Sequence, residues 1–161
     1  MSQAVADSVR ELRVVAVNGT YELAPWADAL VANDVNWWSR NPEAVKFAGR
    51  KFTTNRIRGT ERVATVGPIG PPTCSGVVAL EVAKMLGAKR ILLLGADFQG
   101  SHYFGDYKNG LRNTDAQRRR MHESQFKIWR RANPDMPVLN CTEGSKLGVF
   151  PLVPIAEALL G

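Results

Sequence analysis

A chain of 161 residues with 45% hydrophobic and 22% charged side chains is long enough to bury one core, and its composition excludes a disordered or membrane-embedded protein. The formal charge of +6 points to an anionic partner, and two cysteines outside any CxxC pair or Cys/His array, Cys74 and Cys141, give no zinc site or disulfide framework. The apolar runs are too short to span a bilayer and MSQAVADSVRELR lacks the apolar centre of a signal peptide, so one cytoplasmic domain over residues 1–161 is expected.

Ala4 to Leu12 has the spacing of a short amphipathic helix, and RVVAV, Arg13 to Val17, reads as a buried strand stopped by the turn signal Asn18-Gly19. Trp26, after Pro25, is expected to pack beneath a loop. Ala29 to Asn33 is a second short strand, and Asn41-Pro42 starts a helix within NDVNWWSRNPEAVKFAG. Because Trp37 and Trp38 are adjacent, one should anchor the core while its neighbour is left exposed, free to stack on a base or a partner. Lys51 to Asn55 and Val63 to Val66 are weaker strand candidates, and GPIGPP, Gly67 to Pro72, denies both helix and ladder their hydrogen bonds.

Ser75 to Leu86 predicts a helix ended by Gly87, and Arg90 to Ala96 an apolar strand covered on both faces. A polar, aromatic loop follows, with His102, Tyr103, Asp106 and Tyr107. From about Thr114 the run AQRRRMHESQFKIWRR predicts a helix burying Met121, Ile128, Trp129 and Ala132, with Gln125 completing that face. Its arginines then form a solvated basic face. A nucleic-acid surface is the alternative, weakened by the lack of interleaved aromatics. Val138 to Thr142 is a further strand, and a last helix runs through Ile155 to Leu160.

Strands alternating with helices predict an α/β fold with a mainly parallel sheet and helices on both faces, and such sheets hold ligands at the carboxyl ends of their strands. Several polar groups should converge there. Asn18, Gly19 and Thr20 follow one strand, Asn33 and Asp34 another, Gly95 to Asp106 a third, and Asn140, Cys141, Thr142 and Ser145 the last. The helix start at Thr73, Cys74, Ser75 and Gly76 offers hydroxyls and free amides to a phosphate. Each signal has a plainer reading: Ser75 as a helix cap, Asn18-Gly19 as a turn, Asn33-Asp34 as a cap or loop. Tyr103 and Tyr107 are candidates to stack on a base. The Cys74 thiol could be acidified by the helix start, but with no base beside it the expected state is inert.

The runs AVNGTYELAPWADALVANDVNWW, CSGVVALEVAKMLGAKRILLLGADFQG, HYFGD and NCTEGSKLGVFPLVPIAEAL resemble a family of phage proteins. That family is grouped with the 6-hydroxymethylpterin diphosphokinase MptE-like proteins and is more distantly similar to bacterial CMP-sialic acid dependent sialyltransferases. The resemblance covers the chain from about Arg13 onward and implies a Rossmann-like fold in the cytoplasm of an infected host. It implies that Asn18, Ser75 and Gly76 hold a nucleotide or nucleotide sugar and that the Asp97 carboxylate, after Gly95, approaches a ribose. Gly19, Asp34, Tyr103 and Thr142 fall on the same nucleotide-binding side. His102 and Asp106 match a His and Gly-Asp loop where a general base or a magnesium ligand could sit; lone histidines in polar loops are more often bystanders.

One departure stands out: the family's first strand and its glycine-rich phosphate loop are missing, since Met1-Ser2 stands where that loop should end. The loss would expose ladder edges and remove an anion nest. A rearranged sheet, a covering partner (a homo-oligomer would supply one) and a chain starting downstream of its natural start are the three explanations. Two functions follow: a nucleotide-dependent transferase moving a glycosyl or diphosphate group, or a catalytically silent module that sequesters a nucleotide metabolite or signal. A nucleic-acid-associated factor using the basic helix 115–132 is a third, weaker reading.

Overall fold

The computed structural model describes residues 1–64, 66, 74–99, 110–111 and 113–160. Strands β1 (Val15–Val17), β2 (Ala29–Val31), β3 (Arg50–Thr53) and β4 (Glu61–Arg62) form a parallel sheet in chain order, with Val15 beside Ala29 and Ala29 beside Arg50. A second parallel pair joins β5 (Ile91–Leu93) to β6 (Val138–Asn140), Ile91 beside Val138. The helices are α1 (Gln3–Asp7), α2 (Val35–Arg40), α3 (Ser75–Met85), α4 (Ala116–Ala132) and α5 (Ile155–Leu160). The chain is thus α/β with mostly parallel strands, but its strands lie in two sheets where one was expected. Among the described residues no ladder joins β1 to β5.

The period of two along the strands sorts the core into two faces. Val15, Val17, Ala29, Val31 and Phe52 pack against α3 and α4, where Val77, Val78, Leu80 and Val82 of α3 are fully buried. The alternate residues Ala16, Leu30 and Ala32 pack on the other face against Trp37, Trp38, Ala44 and Phe47. Ile91 and Val138 join the α3 face, so α3 lies over both sheets.

Several elements depart from expectation. The helix in NDVNWW begins before Asn41: Asp34 caps α2, its Oδ1 accepting the Asn36 N–H at 2.8 Å, and Pro42–Lys46 is a 3-10 turn. Trp37 and Trp38 are both buried, 3% and 5% exposed, which corrects the expectation of one outward ring. The short helix is covered from two sides: the Trp38 indole donates to the Ala32 carbonyl at 2.9 Å, and Tyr21 meets Trp37 edge-on. On α4 the buried face is Phe126, Trp129 and the half-buried His122, while Met121 is 40% exposed and Ala132 is outside. That face is turned by one residue from the expected one, because Phe126 packs edge-on against both Phe98 and Phe150. The fourth strand forms at Glu61–Arg62, while Val63 and Val66 are core residues. No helix among the described residues is long and apolar enough to cross a membrane.

Candidate functional site

Beyond β1, Asn18 takes a left-handed φ of 50°, a conformation asparagine tolerates better than most L-residues, and opens the 3-10 turn Asn18–Glu22. Thr20 locks that turn: its Oγ1 accepts the Val17 N–H at 2.7 Å and donates to the Val17 carbonyl at 2.9 Å.

Beyond β5, Gly95 turns with φ +77°, and a Cβ there would lie 3.3 Å from the Met1 side chain. The loop after β6 then clamps the next residues. Ala96 N–H donates to Thr142 Oγ1 at 2.9 Å, Ser145 Oγ donates to the Ala96 carbonyl at 2.5 Å, and Lys146 N–H donates to the Asp97 carbonyl at 2.7 Å. Asn140, wholly buried, donates to Ser145 Oγ at 2.8 Å and accepts the Thr142 N–H at 3.1 Å. Thr142 and Ser145 therefore position Asp97 from behind. Among the described residues the half-exposed Asp97 carboxylate receives a long contact of 3.4 Å from the Gln99 N–H.

Asn18, Gly19, Gly76, Gly95 and Asp97 all line one cavity of about 1000 Å3 between β1 and β5. Ala6 and Val9 flank it from the N-terminal segment, and Ala79, Leu80 and Ala83 from α3.

The start of α3 is differently built from the phosphate cradle expected. Ser75 Oγ accepts the Asn33 N–H at 3.0 Å, tying the helix to the end of β2. Cys74 N–H donates to Gln125 Oε1 at 3.1 Å, and the Cys74 sulfur lies in hydrogen-bonding reach of the Gly76 and Val77 amides. A Cβ on Gly76 would come 2.9 Å from Phe126 Cζ, so close packing explains the glycine. Burial pushes the Cys74 thiol up to about 11, the reverse of a helix-start acidification, and leaves it inert. Asp34 is occupied as the α2 cap, and neither Asp34 nor Ser75 lines the cavity.

His102, Tyr103, Asp106 and Tyr107 lie outside the described residues. Among those described, no cluster of three or more His, Cys, Asp and Glu side chains could hold a metal. His122 lines the cavity and was missed in the sequence. Its imidazole is held below the ordinary pKa, first by burial and then by Arg118, so it is neutral at pH 7. The signal was its spacing, four residues before Phe126 and seven before Trp129, on the face that does turn inward.

No family model, curated protein or solved structure matches this chain. The chemistry of the site is thus read from its own groups. A carboxylate on one bank of the cavity and a left-handed Asn-Gly turn on the other suit a polyhydroxylated ligand between them.

Proposed function

We propose that this protein binds a nucleotide or nucleotide sugar at the carboxyl rim of the cleft between β1 and β5. Asn18 and Gly19 contact it from one bank, Gly95 and Asp97 from the other. The observation that carries the reading is the meeting of these residues, from two distant segments, on one cavity at the ends of parallel strands. The Asp97 carboxylate, held by its clamped backbone, accepts hydrogen bonds from the two hydroxyls of a ribose. A Rossmann-like classification and the likeness to MptE-like proteins belong to this proposal. On the transferase reading, a glycosyl or diphosphate group is moved, with His102 or Asp106 assisting proton transfer or binding magnesium.

The silent, sequestering module is favoured by the start of α3, where the Gly76 and Val77 amides are engaged by the buried Cys74 sulfur and Phe126 packs against Gly76. Thermal-shift measurements with nucleotides and nucleotide sugars, with and without magnesium, test binding, because a ligand of the folded form raises its stability. A saturable shift is expected for at least one of them. Product on prolonged incubation selects the transferase, and binding without product selects the module. If no ligand shifts the melt and the protein is retained on DNA in a salt-sensitive way, the basic helix is the functional surface instead.

A further inference from the structure

We infer that the cleft between β1 and β5 is a slot for a β-strand: it takes an extended, β-branched segment of a partner polypeptide, parallel to both strands and acidic at its amino end. The strand fills the length of the cleft below the rim, so this inference stands apart from the nucleotide proposal.

Direction comes first. Ser75 at the start of α3 binds the backbone beyond β2, while Arg13, just before β1, donates to the Leu86 carbonyl at the end of α3 at 3.1 Å. α3 therefore runs against the strands of the first sheet, and β5, which follows α3, starts from the same end as β1. The two banks of the cleft are parallel.

Their peptide groups are set for a third strand. Val14 O accepts the Ala29 N–H, so Val14 and Ala16 turn toward β2 and Val15 turns toward the cleft. On the other bank Ile91 N–H donates to Pro137 O and Leu93 O accepts the Cys141 N–H, so both face β6 and Leu92 faces the cleft. Val15 and Leu92 thus present their backbone groups across a space walled by Ala6, Val9, Ala79 and Ala83, while Val17, next on the same edge of β1, is already closed by Thr20 Oγ1. A strand laid between them would pair with Val15 on one side and Leu92 on the other and cover the apolar walls below the rim.

Charge fixes the occupant further. Arg13, Lys89 and Arg90 are exposed at the amino end of the cleft, with Glu11 alone among its lining residues there to oppose them apart from Asp28, whose carboxylate accepts the Val14 N–H at 2.7 Å. An acidic flank before the apolar run complements that end and also sets the parallel direction.

The test is hydrogen exchange on the full chain with a synthetic peptide of two aspartates followed by alternating valine and isoleucine. Exchange at the Val15 and Leu92 amides is expected to slow about tenfold or more, with a melting point raised by about 3 °C or more. The same peptide with proline at its centre, unable to complete the ladder, is expected to do neither. Ala83→Trp, which places an indole in the cleft, is expected to keep the far-ultraviolet spectrum and lose the peptide. Unchanged exchange at both amides, equal binding of the proline peptide, or a dimer in which Val15 and Leu92 are already protected without peptide would overturn the inference, the last by giving the slot to a second copy.

Discussion

Trp37 and Trp38 are neighbours in the same core, yet their indole N–H groups have different fates. Trp38 donates to Ala32, whereas the buried Trp37 Nε1 has no hydrogen-bond partner among the described residues. Replacing each by phenylalanine removes similar apolar area but only one made hydrogen bond. Trp38→Phe should therefore cost about 1 kcal/mol more than Trp37→Phe in urea denaturation. Gly76 poses a different constraint. A methyl group aimed at Phe126 must displace a ring packed edge-on against two others, so Gly76→Ala is expected to lose about 1–3 kcal/mol even though alanine favours the helix. Asp97 has no such duty. Asp97→Ala should leave the melting point within about 2 °C and weaken nucleotide binding tenfold or more; unchanged affinity would remove Asp97 from the site.

At the scale of elements, α4 gives the clearest contrast. Trp129 is wholly buried and its indole donates to Glu81 Oε2 at 2.9 Å, while Met121 lies on the solvent side. Trp129→Ala should cost about 3–5 kcal/mol and Met121→Ala less than about 0.5 kcal/mol, a ranking opposite to equal membership of one buried face. The helix itself was legible because its length and apolar spacing agree. Its rotation was not, since a face holding Met121 and Ile128 and one holding Phe126 and Trp129 differ by one step and only the partners across the core choose between them. β1, β2, β5 and β6 could be read from aliphatic runs bounded by turns, with β1, β2 and β6 expected two residues too long and β5 four, because the run past Leu93 is already the turn at Gly95. α2 escaped because the helix start was placed at Asn41-Pro42; Asp34, read as a cap or loop as well as a ligand group, is the cap, and the second tryptophan, expected outside, is covered too. In the site, the banks at Asn18 and Asp97 followed from strand ends alone. The roles of Ser75, Gly76 and Thr142 did not, because each is decided by a residue distant in sequence: Asn33, Phe126 and Ala96.

The whole molecule is organised around the space between its two sheets, and His122 reports on it. Folding lowers the pKa of this imidazole from its ordinary 6.5. Below that value the unfolded chain takes up a proton that the folded form resists, so stability falls as the pH drops, until the folded pKa is reached. His122→Gln should flatten the stability profile between about pH 7 and pH 5, as measured by denaturation at each pH. Within that space the sheets touch through helices rather than through ladder bonds. Sliding one against the other would thus strain side-chain packing beneath α3 without breaking a ladder bond among the described residues, while the Asn33–Ser75 and Arg13–Leu86 bonds keep α3 with the first sheet. The Asn140, Thr142 and Ser145 clamp makes β5, β6 and the Asp97 turn travel together in such a motion, whereas Asn18 stays with the opposite half. A ligand hydrogen-bonded to both halves would couple them, so its binding would hold the two sheets at one relative position.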